Sequence, residues 1–387
     1  MFCGSSTPDE DKRRSRELDK QLKNDSKKLQ RIMQLLLLGT GESGKSTIIK
    51  QMQIIHINGF SEKEKQDKIP NIKQNIHESI YTLIYNMDKI SPPVELKHDK
   101  SKESAEYIIK LGANELVEYP DEYYDHVKIL WADPGVQETF KRSNEFQLID
   151  SANYFLDRID DIRKSDYIPT VQDMLFCRIM TIQISKIEFK IPYRGSDVEF
   201  WMYDVGGQRG QRKKWISAFE GIQAILFLIA ASDFDQTLRE DEKKNRLVES
   251  FEVFGDIFWS RFVRKAGKIV FLNKQDLLKQ KIDNGHKLQD YFPDFANYVL
   301  VKNKHADPNS EYDRAKYYMR EKIIHITQNK PSEIVDVMPG LHFPVNIETP
   351  PVYIHFTIAT DTKNVKLVFD SVKDMILMEN IAGAGLN

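Results

Sequence analysis

Short apolar runs alternate with longer stretches of helical period over much of this chain. Six runs rich in Ile, Val, Leu and Phe have the composition of buried strands, and they lie at 32–38, 184–191, 199–205, 224–230, 268–272 and 352–358. Amphipathic stretches at 47–56 and 361–379 follow the first and the last run and predict helices. This order predicts an α/β fold with a doubly wound sheet, a fold that binds ligands at the C-terminal ends of its strands.

A long segment of helical pattern separates the first predicted helix from the second predicted strand. Apolar residues recur at helical spacing in 72–87, 102–117, 123–130, 137–140 and 146–162. The prolines of the segment lie outside these patterns, where proline commonly bounds a helix: Pro70, Pro92, Pro93, Pro120 and Pro134. We therefore predict an all-helical domain inserted at 61–173, with hinges near Gly59 and Ile168, in a sheet domain that comprises 32–60 and 174–387.

The first 31 residues are polar and basic. Segment 12–31 contains nine Lys or Arg residues against three acidic residues. Wound as a helix, it would carry a thin apolar stripe of Leu18, Leu22, Leu29 and Met33. We predict an amphipathic helix over 1–31 that lies on a partner protein or on an anionic membrane surface, or alternatively docks on its own domain.

Composition limits the class of protein. The 387 residues are 29% charged and 41% apolar with a formal net charge of -2, which argues against a generally basic nucleic-acid binder. No apolar run reaches the length of a membrane span, and no signal-peptide core follows the N-terminus, so we expect a soluble intracellular protein. The two cysteines, Cys3 and Cys177, allow no disulfide framework. Cys3 beside the basic segment is a candidate for S-acylation, whereas Phe2 excludes N-myristoylation.

The sequence GTGESGKST at 39–47 directly follows the first predicted strand and has the form G-x-x-x-x-G-K-S. Its glycines permit a tight turn in which successive N–H groups converge on phosphate oxygens. Lys45 can place a cation against the β- and γ-phosphates, and Ser46 is a predicted Mg²⁺ ligand through its hydroxyl. We therefore expect a nucleoside triphosphate to contact Gly41, Glu42, Ser43, Gly44, Lys45, Ser46 and Thr47.

Two further sequences supply groups for phosphoryl transfer. At the end of the third predicted strand, Asp204 can hold Mg²⁺ through water, Gly207 can donate its N–H to the γ-phosphate, and Gln208 can orient an attacking water. Before the second predicted strand, Thr181 can supply a second hydroxyl ligand to Mg²⁺, and Arg178 can neutralise charge on the transferred phosphoryl group. Arg178 and Gln208 are therefore the predicted catalytic residues.

A fourth sequence, NKQD at 273–276, follows the fifth predicted strand. The carboxylate of Asp276 can accept hydrogen bonds from both N1–H and N2–H₂ of guanine, a donor pair that adenine lacks. The sequence therefore predicts GTP and GDP as ligands, with Asn273, Lys274 and Asp276 at the base.

The order of GTGESGKST, CRIMT, DVGGQR, NKQD and FTIAT, with a helical insertion, resembles heterotrimeric G-protein α subunits over nearly the whole chain. The resemblance implies a Ras-like P-loop GTPase domain in which Ala359 contacts guanine O6 through its backbone. It implies that Glu42 closes over the nucleotide toward Arg178, and that Ser151 and Leu175 also contact the nucleotide.

The chain is most similar to the stimulatory subclass, through Arg-Ala-Lys-Tyr-Tyr at 314–318 and through Cys3. This similarity implies a slow GTPase that is peripheral at the cytoplasmic face of the plasma membrane. The implied partners are a βγ dimer, a seven-helix receptor, the inner membrane surface and an effector such as adenylyl cyclase, with no nucleic acid.

Several positions depart from the family pattern. Gln183 stands where glycine is usual, Phe176 where a basic residue is usual, and Gln211 where an acidic residue is usual, although Arg212 and its expected partner Glu249 are present. The tail at 381–387 does not match the stimulatory ending. The alternatives left open are a GTP-binding scaffold with little hydrolysis, coupling to an effector other than a cyclase, and a metabolic P-loop enzyme such as a kinase.

Overall fold

The computed structural model describes residues 32–193, 195–301, 305–329 and 351–383. The predicted N-terminal helix at 1–31, with Cys3, lies outside the described residues, as does the end of the tail at 384–387.

A six-stranded sheet forms the centre of the described fold. The strands are β1 Met33–Gly39, β2 Ser185–Tyr193, β3 Ser196–Asp204, β4 Ala224–Ala230, β5 Gly267–Asn273 and β6 Val352–Phe356. Their order across the sheet is β2-β3-β1-β4-β5-β6, with β2 and β3 antiparallel and the other neighbours parallel. All six predicted strands are present with ends shifted by a few residues, so the α/β prediction is confirmed.

Helices cover both faces of the sheet, as the alternation along β1 requires. Leu36 and Leu38 are buried in one apolar cluster, while Leu35 and Leu37 are buried in the cluster on the opposite face. The helices of the two layers are α1 Lys45–His56, α9 Arg246–Phe258, α10 Gln275–Asp283, α11 Glu311–Gln328 and α12 Thr362–Gly383. The parallel strands therefore end at one edge, where the connecting loops form the site.

The segment between α1 and β2 is helical throughout its regular structure. Its helices are α2 Glu62–Asn86, α3 Asp99–Leu111, α4 Asp121–Trp131, α5 Pro134–Lys141, α6 Ala152–Leu156, α7 Ile159–Ile162 and α8 Val171–Phe176. They share a separate apolar cluster that includes Ile76, Tyr123 and Phe155, each fully buried. The division at 61–173 stays a prediction.

Two helices of this segment each have one end that lies well away from the predicted end. Helix α2 begins at Glu62 rather than near residue 72, because Ser61 and Glu64 form a capping box that starts the helix, and Pro70 lies inside it on an exposed turn. Helix α3 ends at Leu111 rather than at 117, because Gly112 has a φ of +81°, which is outside the helical range and which residues with a side chain rarely adopt.

The predicted helix at 146–162 was also wrong in extent, since the chain forms the short helices α6 and α7 there. Helix α8 was not predicted, although Thr170 and Asp173 form a capping box at its start.

Short 3₁₀ helices complete the regular structure: Ser143–Glu145, Arg209–Ala218, Ala231–Asp235, Arg261–Val263, Leu288–Asp290 and Pro293–Asn297. Among the described residues, none of the helices combines the length and the apolar composition that a bilayer crossing requires.

Candidate functional site

The loop between β1 and α1 is shaped by three residues with positive φ angles. Gly39 has φ +141° and Gly44 has φ +101°, and Glu42 takes the left-handed region at φ 63°. A Cβ atom on Gly44 would lie 2.3 Å from Asn273 Nδ2, and one on Gly39 would lie 2.4 Å from the Leu228 carbonyl. Both positions therefore require glycine, and the loop folds as a concave turn ahead of the N-terminus of α1.

Lys45 lies buried beneath this turn. Its Nζ donates to the carbonyl oxygens of Thr40, at 2.8 Å, and Gly39, at 3.1 Å. Burial lowers the pKa of Lys45 to about 8. A cation held at this point is placed to exchange these loop carbonyls for phosphate oxygens.

Three oxygen-bearing side chains from three separate elements meet beside α1. Ser46 Oγ lies 2.6 Å from Asp204 Oδ2 and 2.8 Å from Thr181 Oγ1. Asp204 Oδ1 is buried and has no hydrogen-bond partner among the described residues, and burial raises the pKa of this carboxyl. Hydroxyl and carboxylate oxygens are the ligands that Mg²⁺ takes in proteins, and a bound triphosphate supplies the others, so these residues fit the ion.

Glu42 is the centre of a charge cluster over the phosphate loop. Its Oε1 lies 2.7 Å from both Arg178 Nη2 and Arg239 Nε, and its Oε2 lies 3.0 Å from Arg246 Nη1. Burial alone would raise the pKa of Glu42, but the three guanidinium groups lower it to about 2. Arg178 and Arg239 also approach Glu78 of helix α2, at 3.5 and 3.6 Å.

The segment after β3 is held by its own ion pairs. Arg212 Nη1 lies 2.6 Å from Glu249 Oε1, which is the ion pair that the family resemblance implied. Arg209, which the sequence did not single out, forms a second pair with Glu249 at 2.9 Å. The Trp215 indole donates to the Gly206 carbonyl at 2.8 Å, so the aromatic side chain ties the 3₁₀ helix to the end of β3.

Two residues of this segment face the phosphate loop. A Cβ atom on Gly207 would lie 2.4 Å from Lys45 Nζ, which shows how closely its backbone approaches the lysine. Gln208 lies against Gly41, since a Cβ atom on Gly41 would be 3.3 Å from Gln208 Cγ. Gln208 is therefore placed beside the loop on which the phosphates would lie.

Asn273 joins the phosphate loop to the loop after β6. Its Nδ2 donates to the Ser43 carbonyl at 2.9 Å, and its Oδ1 accepts from the Ala359 N–H at 3.0 Å and from Thr357 Oγ1 at 3.1 Å. The implied contact from the Ala359 N–H to guanine O6 therefore requires that Asn273 share or release this donor. The Ala359 carbonyl accepts from Gln51 Nε2 at 2.8 Å, which fixes the loop to α1.

Lys274 and Asp276 lie at the C-terminal edge of β5 and the start of α10. Lys274 is in the left-handed region, at φ 58°, and its Nζ lies 2.6 Å from Asp150 and 3.3 Å from Asp233. Burial alone would lower the pKa of Lys274, but the two carboxylates raise it. Asp276 opens onto the cavity in the first turn of α10, where desolvation raises the pKa of its carboxyl.

One cavity of about 580 Å³ brings the predicted nucleotide contacts together. Its lining includes Gly41, Glu42, Ser43, Gly44, Lys45, Ser46, Thr47, Ser151, Leu175, Arg178, Thr181, Asp204, Gly207, Gln208, Asn273, Lys274, Asp276 and Ala359. Ser151 Oγ is buried there without a hydrogen-bond partner among the described residues. Cys3, the predicted acylation site, lies outside the described residues.

Sequence reasoning missed most of the charged residues that surround the motifs. Asp150, Arg239 and Arg246 pair with motif residues but belong to no recognisable motif of their own. For Asp150 the only signal was its position next to Ser151.

Comparison with known proteins gives one consistent result. The family model described as G-protein alpha subunit matches residues 12–376. The chain is 42% identical to the guanine nucleotide-binding protein G(s) subunit alpha of Homarus americanus, over 94% of this chain and 92% of that protein. It is 44% identical to the G(f) subunit alpha of Drosophila melanogaster, over 92% of this chain and 88% of that protein. It is 41% identical to the human G(olf) subunit alpha, over 95% of this chain and 93% of that protein.

Proposed function

The chain belongs to the G-protein alpha subunit family. From this premise we propose which of its residues bind the nucleotide, which hydrolyse GTP and which change conformation between the GTP and GDP states. It is a GTPase that binds GTP and GDP with Mg²⁺ and acts in signal transduction. The observation that carries the residue assignment is the meeting of phosphate loop, Arg178, Thr181, Asp204 and Gln208 around one cavity.

We assign substrate binding to the loop between β1 and α1 and to the loops after β5 and β6. Lys45 and the N–H groups of the turn hold the β- and γ-phosphates, while Asp276 accepts hydrogen bonds from the N1–H and N2–H₂ groups of guanine. The hydroxyls of Ser46 and Thr181 hold Mg²⁺, which when bound neutralises charge on the phosphate oxygens.

We assign hydrolysis to Gln208 and Arg178. Gln208 orients a water whose oxygen forms a bond to the γ-phosphorus, while the bond from that phosphorus to the β–γ bridging oxygen breaks and GDP leaves. Arg178 exchanges Glu42 for the γ-phosphoryl oxygens and stabilises their charge. Because Arg178 belongs to the same chain, a separate arginine donor is not required.

The signal follows from the loss of the γ-phosphate. In the GTP state, segments 178–181 and 207–215 are held by contacts to that phosphate and to Mg²⁺, and hydrolysis removes the contacts. These two segments, the first and second switch, would then present different surfaces to partners in the two nucleotide states.

The partners and the membrane attachment are proposals of the same kind. The GDP form binds a βγ dimer through segment 1–31 and the second switch, and a seven-helix receptor acts through α12 to release GDP. The effector, which we propose to be adenylyl cyclase, contacts the second switch and the adjoining Ile216, which is 60% exposed. Acylation at Cys3 and the basic segment 12–31 together hold the protein at the cytoplasmic face of the plasma membrane.

Pull-down from membranes with GDP-loaded and GTP-analogue-loaded protein tests these partners: βγ is expected with GDP and the effector with the analogue.

Single-turnover GTP hydrolysis tests the catalytic assignment. We expect Gln208→Leu and Arg178→Ala each to slow hydrolysis by about 100-fold, with GTP affinity changed by less than about threefold. Matched controls are Gln66→Leu on an exposed turn of α2 and Arg163→Ala, whose partner is Asp125 in the helical segment.

Two outcomes contradict the assignment. Equal rates for wild type and Gln208→Leu would remove Gln208 from catalysis. A wild-type rate no faster than buffer would favour the scaffold that binds GTP without hydrolysing it.

A further inference from the structure

The side chain of Asn75 forms hydrogen bonds with both main-chain polar groups of Arg178. The Arg178 N–H donates to Asn75 Oδ1 at 2.7 Å, and Asn75 Nδ2 donates to the Arg178 carbonyl at 3.1 Å. An N–H group can only donate and a carbonyl can only accept, so this pairing fixes which way the carboxamide faces. Asn75 is 4% exposed, and the two bonds satisfy a polar side chain that burial would otherwise destabilise.

Asn75 is an unusual residue for its position. It lies in the interior of α2, between Ile72 and Ile76, which are both fully buried. Asparagine has low helix propensity, and a buried amide in an apolar cluster is costly without partners. We therefore attribute the presence of asparagine at this position to its hydrogen bonds with Arg178, which lies more than 100 positions further along the chain.

The segment around Arg178 has no regular secondary structure of its own. It lies between α8, which ends at Phe176, and β2, which begins at Ser185. The neighbouring Ile179 and Met180 are 42% and 53% exposed, so apolar packing fixes the main chain weakly here. On the N-terminal side Cys177 is held by two hydrogen bonds, since its N–H donates to the Asp173 carbonyl at 2.8 Å and its carbonyl accepts from Lys50 Nζ at 2.7 Å.

The next turn of α2 contacts the other end of the same residue. Glu78 lies one turn after Asn75, and its Oε1 is 3.5 Å from Arg178 Nη1. Helix α2 thus contacts Arg178 at two points, since Asn75 bonds to its main chain and Glu78 pairs with its guanidinium. The main-chain bonds do not involve the guanidinium, so they persist when that group leaves Glu42.

We propose that Asn75 is a positioning residue for GTP hydrolysis. Its carboxamide, supplied by the helical segment, fixes the main chain of Arg178 while the guanidinium exchanges Glu42 for the γ-phosphoryl oxygens. The inference rests on the proposed catalytic role of Arg178. It makes the rate of hydrolysis depend on a residue that touches neither nucleotide nor water, because misplacement of a catalytic group by about 1 Å can cost about 100-fold in rate.

A double-mutant cycle tests the proposal, with single-turnover hydrolysis measured for wild type, Asn75→Ala, Arg178→Ala and the double variant. We expect Asn75→Ala to slow hydrolysis by about 10-fold and to leave the affinity for a non-hydrolysable GTP analogue within about threefold. The double variant should be no slower than Arg178→Ala alone, because Asn75 acts only through Arg178. Asn86→Ala is the matched control, since Asn86 lies on the same helix and bonds to the Thr82 carbonyl.

Two further measurements keep the test decisive. Asn75→Asp keeps the acceptor for the Arg178 N–H but loses the donor to the carbonyl, so its rate should lie between those of wild type and Asn75→Ala, and it serves if Asn75→Ala does not fold. Amide hydrogen exchange in the GDP state should be faster at Arg178 in Asn75→Ala than in wild type.

The outcomes separate this inference from the proposed function. A wild-type rate for Asn75→Ala beside a slow Arg178→Ala would overturn the inference alone, as would an equal further slowing in the Arg178→Ala background. A wild-type rate for Arg178→Ala would overturn the proposed role of Arg178 and this inference with it.

Discussion

The guanidinium of Arg178 lies 2.7 Å from the carboxylate of Glu42, a residue of the phosphate loop. Glu42 also pairs with Arg239 and Arg246. When Arg178 moves toward a γ-phosphate, Glu42 therefore keeps two cations and is not left as an unpaired partly buried charge, whose cost would oppose the movement.

This arrangement predicts an effect of Arg239, which touches none of the predicted catalytic groups. Replacing Arg239 by Ala should leave Glu42 more dependent on Arg178 and make the movement of Arg178 costlier by about 1 kcal/mol, or about fivefold in single-turnover hydrolysis. GTP affinity should stay near that of wild type. Arg163→Ala is again the control, and a rate for Arg239→Ala at or above wild type would contradict the sharing of Glu42.

The specificity for guanine should depend on Asp276. In Asp276→Asn the side chain can accept only one of the two hydrogen bonds from guanine, so GTP affinity should fall by about 100-fold. Xanthine carries a carbonyl in place of the amino group, and the carboxamide of the variant can donate a hydrogen bond to it. Xanthosine triphosphate should therefore bind more tightly to the variant than to the wild-type protein. Competition binding with both nucleotides measures this, and unchanged preference for GTP would place the base elsewhere.

The ion pair between Lys274 and Asp150 joins β5 to the loop before α6, at 2.6 Å. In Asp150→Asn this link is weakened next to the base, so GDP should dissociate about three- to tenfold faster, as expected for loss of about 1 kcal/mol. Release of a fluorescent GDP measures the rate. Asp160→Asn, which removes the exposed pair with Lys128, should release GDP at the wild-type rate.

The burial of Lys268 predicts how the free energy of unfolding depends on pH in the alkaline range. It is 2% exposed, its Nζ donates to the carbonyls of Val263 and Ala266, and burial lowers its pKa from 10.5 to about 8. Between those values the unfolded chain keeps the proton that the folded protein has lost, so the free energy of unfolding rises with pH, by about 1.4 kcal/mol per unit.

In the variant Lys268→Met, this increase of the free energy of unfolding with pH is absent. The difference in the free energy of unfolding between wild type and Lys268→Met should increase by about 2 kcal/mol from pH 7.5 to 9.5, measured by denaturant titration at both values. Lys265→Met, at an exposed position just before β5, should give no such trend. A difference that stays constant with pH would mean that Lys268 is not a buried titrating group.

Much of the sheet and most motif positions could be predicted from the sequence because each depends on local information. The strands are continuous apolar runs, and parallel strands end at one edge, so motifs that follow β1, β3 and β5 had to lie near one another. The family resemblance added Ser151 and Leu175, which line the same cavity although Ser151 lies just before α6 and Leu175 lies in α8.

The residues that could not be predicted are those whose partners are distant in sequence. Asn75 and Glu78 contact Arg178, and Asp150 contacts Lys274, only once the helical segment is placed beside the sheet, and a single polar residue carries no signal of such a distant partner. Pro70 shows the opposite error, since a local rule about proline was overridden by a strong cap and a buried face.

The central claim is that the γ-phosphate holds the two switch segments in one shape. Amide hydrogen exchange at 178–181 and 207–215 tests this directly, in protein loaded with GDP and with a non-hydrolysable GTP analogue at equal Mg²⁺. We expect slower exchange in both segments with the analogue, while exchange in strands β4 and β5 stays unchanged. Equal exchange in the two nucleotide states at both segments would contradict it.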